Sequence, residues 1–390
     1  MTSIPPQTDA GTSSGSEASQ QIALRSREAL DAYLAANSGR ATPFDAMPPL
    51  ARRRFLDSLV FGSNGLGGFA TDDLAMELTD GEIGKILKLF NASEHASFVH
   101  SRHPEAPPEW RQSHTIAEPV EAGFDELYRH RSSESGGSSA LRERFDALFA
   151  GMFMHPGAIR SLPKQELLYL MRSVDLVASD TPTPVDIDRL RVVVAAMSEH
   201  EIALPQDYRS VYDAMLRMHR FADAKRYAIE HHDARLPVLP EMIDEFTDTA
   251  PSFTVWRTNG NTQLVRAALD LRPTQILVTA GCHFSEDAAE DITRDPVLGP
   301  AFAAHASWLL LPPGQEDQNA VREWNRRFPS AQAMQIYDRG DWTMLPPGWS
   351  MPTFFIVRDG KVLERIKGWP RQSAANRQLL IDAIERANLL

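Results

Sequence analysis

The sequence predicts an α/β protein: a long α-helical amino-terminal region, then a mixed sheet with flanking helices over residues 250–390. Three observations predict it. Apolar residues recur at helical spacing from about Ile22 to about Glu241. Beyond Ser252 the period changes, and short apolar runs such as Ile276-Leu277-Val278-Thr279 and Trp308-Leu309-Leu310-Leu311 alternate with helical stretches. Phe354-Phe355-Ile356-Val357, the turn Arg358-Asp359-Gly360-Lys361 and Val362–Ile366 then read as a hairpin.

Residues 1–21 are rich in Ser, Thr, Gly and Gln and carry too few apolar side chains to offset the entropy of ordering, so disorder is expected. Helical spacing covers Ile22 to about Gly39 and Pro48 to Phe61. The stretch Gly62-Ser63-Asn64-Gly65-Leu66-Gly67-Gly68 follows an apparent helix and lacks a Gly-Lys-Ser/Thr or dinucleotide fingerprint. It is read as a tight turn between helices, not as a phosphate cradle. Thr79 and Glu82 form a capping box ahead of Ile83, Ile86, Leu87 and Phe90. Residues 91–120 are irregular; His95, His100, His103 and His114 repeat no ligand template, so no metal site is expected. Ser132–Ser139, around Gly136-Gly137, reads as a linker between a helical region, 22–131, and a helical-hairpin region, 140–245.

In that second region, residues 164–177 pair with 185–199 and 206–219 with 222–232. Within 250–390, Ser252–Trp256 reads as a strand, Asn261–Leu271 as a helix, and His283 as the start of another. Residues 317–328 form a helix with Val321, Trp324 and Phe328 on one face, and Met334–Tyr337 a short strand. A last helix carries Leu379, Leu380, Ala383, Ile384 and Ala387. Trp342, Trp349 and Trp369, near strand ends, are read as core.

Composition narrows function. Forty basic against fifty-two acidic residues give a net charge of −12, the wrong sign for a general binder of nucleic acid or anionic membranes. No apolar run approaches the roughly 18 residues of a membrane span, and the first residues lack a secretory-signal pattern. One cysteine, Cys282, allows no intrachain disulfide and no thiolate metal site from a single chain, so a reducing, cytoplasmic setting is expected.

Cys282-His283-Phe284-Ser285 stands where an apolar strand turns into a helix, Met351-Pro352-Thr353 precedes the hairpin, Asp359-Gly360-Lys361 links its strands, and Gly368 follows the last one. In that order these motifs resemble the thioredoxin superfamily over residues 250–390, and the extra helix and strand at 317–337 resemble its redoxin branch, which includes the cytochrome-maturation thioredoxin-like proteins. The stretch Met218–Ala224 resembles the turn of a tetratricopeptide-type hairpin, a repeat whose surface binds extended partners. The resemblance implies a thioredoxin-like fold, a cis-Pro352, and substrate binding along Met351, Pro352, Thr353 and Gly368, with the exposed Met351 backbone pairing with an extended segment.

The departures carry as much weight. Where the dithiol members have a second Cys, this chain has Ser285; Gly281 replaces the usual Trp, and Ile276 stands where a buried acid is common. Dithiol turnover within one chain is excluded. Monothiol exchange remains: Cys282 attacks a disulfide and an external thiol releases it. Unpaired N–H groups and the positive end of a helix dipole favour a thiolate at such a position; Ser285 and His283 would assist, whereas Glu286 and Asp287 would oppose. Monothiol glutaredoxins carry a similar Cys-x-x-Ser, but their other glutathione-binding features are absent, so no cofactor is expected and glutathione enters only as an external thiol. The alternative is a redox-silent scaffold, adaptor or chaperone with Cys282 a small hydrophobe. Either way the expected partner is a protein, bound by the helical region and the thioredoxin-like groove.

Overall fold

A computed structural model describes residues 23–390 apart from 63–64, 114–118, 133–137, 180, 247–251, 261, 347–348 and 371–374. The segment read as disordered, His114 and all but the ends of the Ser132–Ser139 linker lie outside the described residues. The chain divides into two compact units, Met1–Tyr128 and Arg129–Leu390.

In the first unit, α1 (Arg27–Ala36) and α2 (Pro49–Ser58) lead to a hairpin, β1 (Val60–Gly62) and β2 (Gly65–Gly68), then α3 (Asp72–Glu77) and α4 (Asp80–Leu89). The next helix, α5 (Pro119–Ser132), spans the division between the units. The Thr79–Glu82 box starts α4 as predicted: the Glu82 N–H donates to Thr79 Oγ1, and the Thr79 N–H to Glu82 Oε2 at 3.0 Å. The glycine-rich stretch corrects the sequence reading. Phe61 pairs with Leu66 and Gly62 with Gly65, so it is a β-hairpin and not a turn between helices. Val60-Phe61, which looked like the end of a helix, are β-favouring residues, and paired glycines let the strands close.

Leu30, Phe44, Phe55, Leu74 and Ile86 form the apolar centre of this unit. Beside it lies a cation: Arg54 is 1% exposed, with its guanidinium 2.8 Å from Asp73 and 3.3 Å from Asp125.

The second unit opens with α6 (Ser138–Phe153), α7 (Pro156–Arg160), α8 (Lys164–Ala178), α9 (Pro184–Glu199), α10 (Pro205–Arg217) and α11 (Phe221–Glu230). Helix α8 packs on α9 and α10 on α11, as the paired spacing predicts, and α9 also packs on α10. The remainder is β3 (Glu241–Ile243), β4 (Thr254–Asn259), β5 (Gln263–Ala268), β6 (Gln275–Thr279), α12 (His283–Arg294), α13 (Leu298–His305), β7 (Ala306–Leu310), α14 (Gln318–Arg327), β8 (Ala333–Ile336), β9 (Thr353–Arg358), β10 (Lys361–Lys367) and α15 (Ala375–Arg386). The strands form one mixed sheet in the order β10-β9-β6-β7-β8-β4-β5-β3.

Two expectations fail here. Asn261–Leu271 is not a helix: Gln263–Ala268 is β5, antiparallel to β4 from Asn259↔Gln263 to Thr254↔Ala268. Its composition suits a helix, but the ladder offered by β4 outweighs local preference. Nor is the chain ahead of the sheet all-α, because β1, β2 and β3 interrupt it; β3 lies parallel to β5 as the edge strand.

Alternation along the central strands gives the sheet two apolar faces. Ile276, Val278, Trp308 and Leu310 face α12, α13, α14 and α15 through Ala289, Ile292, Phe302, Trp324, Leu380 and Ile384. Leu277, Leu309, Phe355 and Val357 face the opposite way, toward Trp342, Leu345 and Trp349 of the β8–β9 connection. At the far edge, β10 turns Lys361, Leu363, Arg365 and Lys367 outward, and its register shifts between Val362 and Glu364.

Removing this buried cation takes the guanidinium from Asp73 and leaves Asp125 to Arg53. Arg54→Ala should lower the unfolding free energy of the full chain by about 3–5 kcal/mol, read by urea titration followed by circular dichroism. A loss within about 0.5 kcal/mol, the range of a neutral surface change, would contradict the burial of this charge.

Candidate functional site

β6 ends at Thr279, and the Ala280 N–H continues the ladder to the Leu309 carbonyl at 2.9 Å. The chain then turns at Gly281, φ +137, where a Cβ would stand 2.8 Å from Glu316 Oε2 and 3.0 Å from Met351 Sδ. Only glycine suits both the backbone angle and the space. Cys282 follows as N-cap of α12, with its carbonyl accepting the Ser285 and Glu286 N–H groups at 2.8 and 3.2 Å.

The Cys282 side chain is partly exposed. Its Sγ lies 3.4 Å from Ser285 Oγ and 3.6 Å from the Met351 carbonyl oxygen. Ser285 itself is fully buried. The Met351–Pro352 peptide bond is cis. Two threonine hydroxyls, of Thr279 and Thr353, donate to the Ser350 carbonyl at 2.8 Å each and so fix the segment ahead of it. Gly368, φ +78, gives its N–H to the Pro352 carbonyl at 2.8 Å, while its own carbonyl accepts from Asn376 at 2.7 Å. Of the residues singled out by sequence, Ser285 and Met351 therefore touch the sulfur, and Thr353 and Gly368 hold the Met351–Pro352 segment in place.

His283 is exposed, and its ring lies 3.8 Å from that of Phe284, which is 52% exposed. The hydrogen-bond partners of Sγ do not include it. Glu286 is paired with Arg327 at 2.6 Å, which offsets the like-charge opposition expected of it. Trp342 is core at 2% exposure, whereas Trp349 donates to the Ala280 carbonyl at 3.4 Å and Trp369 to Asp291 at 2.8 Å.

Sequence reasoning missed Glu316. It sits on the connection between β7 and α14, and an acid after Pro-Pro-Gly-Gln reads as any surface loop. Helix α10 grips that connection: Arg217 donates to the Gly314 carbonyl at 2.9 Å, and Arg209 reaches Asp317 at 3.3 Å while holding Asp213 at 2.8 Å. Gly314, φ +85, permits this approach, since a Cβ there would overlap the Asp213 carbonyl oxygen. Partial burial pushes the Glu316 carboxyl up to about 7; the Asp317 N–H opposes the rise and the Asp317 charge adds to it.

Among the described residues no group of three or more His, Cys, Asp and Glu side chains could hold a metal ion. His95 lies against Phe69 and Phe98, and His103 against Trp110. No family model, curated protein or solved structure matches this chain. Among the described residues no helix is long and apolar enough to cross a membrane.

A carboxyl whose proton is held more tightly in the folded state stabilises that state fully below its unfolded pKa of 4.5 and loses the contribution as pH rises through about 7. The difference in unfolding free energy between wild type and Glu316→Gln should therefore fall between about pH 4.5 and about pH 7 and level off above. Urea titrations of both proteins across that range check it; a pH-independent difference would contradict the burial of this carboxyl.

Proposed function

We propose that residues 250–390 form a thioredoxin-like module in which Cys282 performs monothiol exchange with a protein disulfide or a glutathionylated thiol. The observation that carries this reading is the setting of the sulfur: part-exposed, at a helix N-terminus beyond a central strand, with the Ser285 hydroxyl on one side and the Met351 carbonyl on the other. Placement beyond the carboxyl end of β6, between parallel β7 and antiparallel β9, supports it, because open α/β sheets carry their sites at such ends.

The thiolate attacks one sulfur of the disulfide, the other leaves, and a thiol from solution such as glutathione later displaces the partner and restores Cys282. The Ser285 hydroxyl can donate to the thiolate but supplies no second sulfur, so release depends on the external thiol. The Met351 backbone beside the sulfur offers hydrogen-bonding groups to an extended segment, and exposed Phe284 offers it an apolar contact. Partner selection falls to the helical hairpins, where a concavity of about 410 Å³ between α9, α10 and α11 is lined by Arg191, Ser198, Tyr208, Tyr227 and His231.

Exposed to glutathione disulfide, the protein should gain the mass of one glutathione and lose it on addition of excess reduced thiol. Cys282→Ser should gain none while unfolding as the wild type does. Intact-mass spectrometry reads both. A wild-type protein that stays unmodified would sink the exchange reading and leave the redox-silent scaffold, for which Cys282→Ser retains every partner in a pull-down.

A further inference from the structure

We propose that Glu316 is the general acid of exchange at Cys282, giving its proton to the thiolate expelled when the sulfur attacks a disulfide. This rests on the monothiol reading above and names the proton source that the reading leaves open.

Gly281 presents no side chain, and the point where its Cβ would stand is 2.8 Å from Glu316 Oε2 and 3.0 Å from Met351 Sδ. The Met351 carbonyl oxygen is in turn 3.6 Å from Cys282 Sγ. Carboxyl and thiol thus each lie beside Met351, the first against its thioether across Gly281 and the second against its carbonyl. The neighbouring charges are already engaged. On the Glu316 connection, Asp317 is held by Arg209, which also binds Asp213, and Arg217 is on the Gly314 carbonyl. On α12, Glu286 is held by Arg327, and His283 lies exposed against Phe284. Among the described residues no cation pairs with Glu316; the Asp317 N–H favours the ionised carboxyl, but burial outweighs it and pushes the carboxyl up to about 7.

The step balances as follows. The Cys282 thiolate forms a bond to one sulfur of a disulfide, the S–S bond breaks, and its electron pair departs on the other sulfur. The Glu316 carboxyl delivers its proton to that sulfur, leaving a neutral thiol and a carboxylate. Solvent reprotonates the carboxylate, and an external thiolate then displaces Cys282 from the mixed disulfide.

An acid of this kind matters only when the leaving sulfur is basic. The test measures the reaction of Cys282 in the full chain at neutral pH with three reagents. Iodoacetamide expels no sulfur, a nitroaryl disulfide expels a weakly basic thiolate, and glutathione disulfide expels a basic one. Glu316→Gln should slow reaction with glutathione disulfide by about tenfold or more and leave the other two rates unchanged. Equal slowing with all three would mean a structural role, and no slowing would mean none; either result overturns the proposal. A wild-type protein that reacts with iodoacetamide but not with glutathione disulfide would instead remove the exchange reading itself, and the acid role with it.

Discussion

Thr279 stands opposite Thr353 in the antiparallel pairing of β6 with β9, and every distance at the site depends on that register. The pairing brings the end of one strand, where Cys282 enters α12, beside the start of another, where Pro352 enters β9. Both threonine hydroxyls then close on one carbonyl, that of Ser350. A slip of one residue would turn Phe355 and Val357 from one apolar cluster to the other, so the core of the sheet enforces the geometry of the sulfur.

What was legible in the sequence is what local chemistry decides. The capping box at Thr79, the Asp359-Gly360 turn with both residues at positive φ, and the buried run 276–279 each carry their own signal. The meeting of Cys282 with Ser285 follows from one helical turn, and Met351 was found through a motif. The misreadings share a different cause. Gln263–Ala268 became a strand because β4 lay beside it, and residues 60–68 a hairpin because two glycine-bearing segments found each other. No periodicity within either segment records those partners. Glu316 was invisible for the same reason: it is 34 residues beyond Cys282, and its approach is set by a glycine with no side chain to notice.

The helical hairpins are more than a neighbour of the sheet. Arg209 and Arg217 reach from α10 to the connection that carries Glu316, and His219, just beyond that helix, stacks on Tyr337 at 3.9 Å while Arg266 covers the other ring face. A partner that shifted α10 would move the connection with it, since Gly314 leaves no slack against Asp213. On the function proposed above, recognition by the hairpins and exchange at the sulfur would share one mechanical element.

The charged edge at β10 has a consequence for the protein as a population. An eight-stranded sheet ending in an unpaired ladder is a template on which another chain can add. Lys361, Arg365 and Lys367 on that strand, the register shift at Val362, and the pairing of Arg386 from α15 with Glu364 make the edge repulsive and irregular. Two copies that meet there repel before they can zip. If the thiol acts on partners as proposed above, that protection would keep the sheet beside it from drawing in copies of the chain itself.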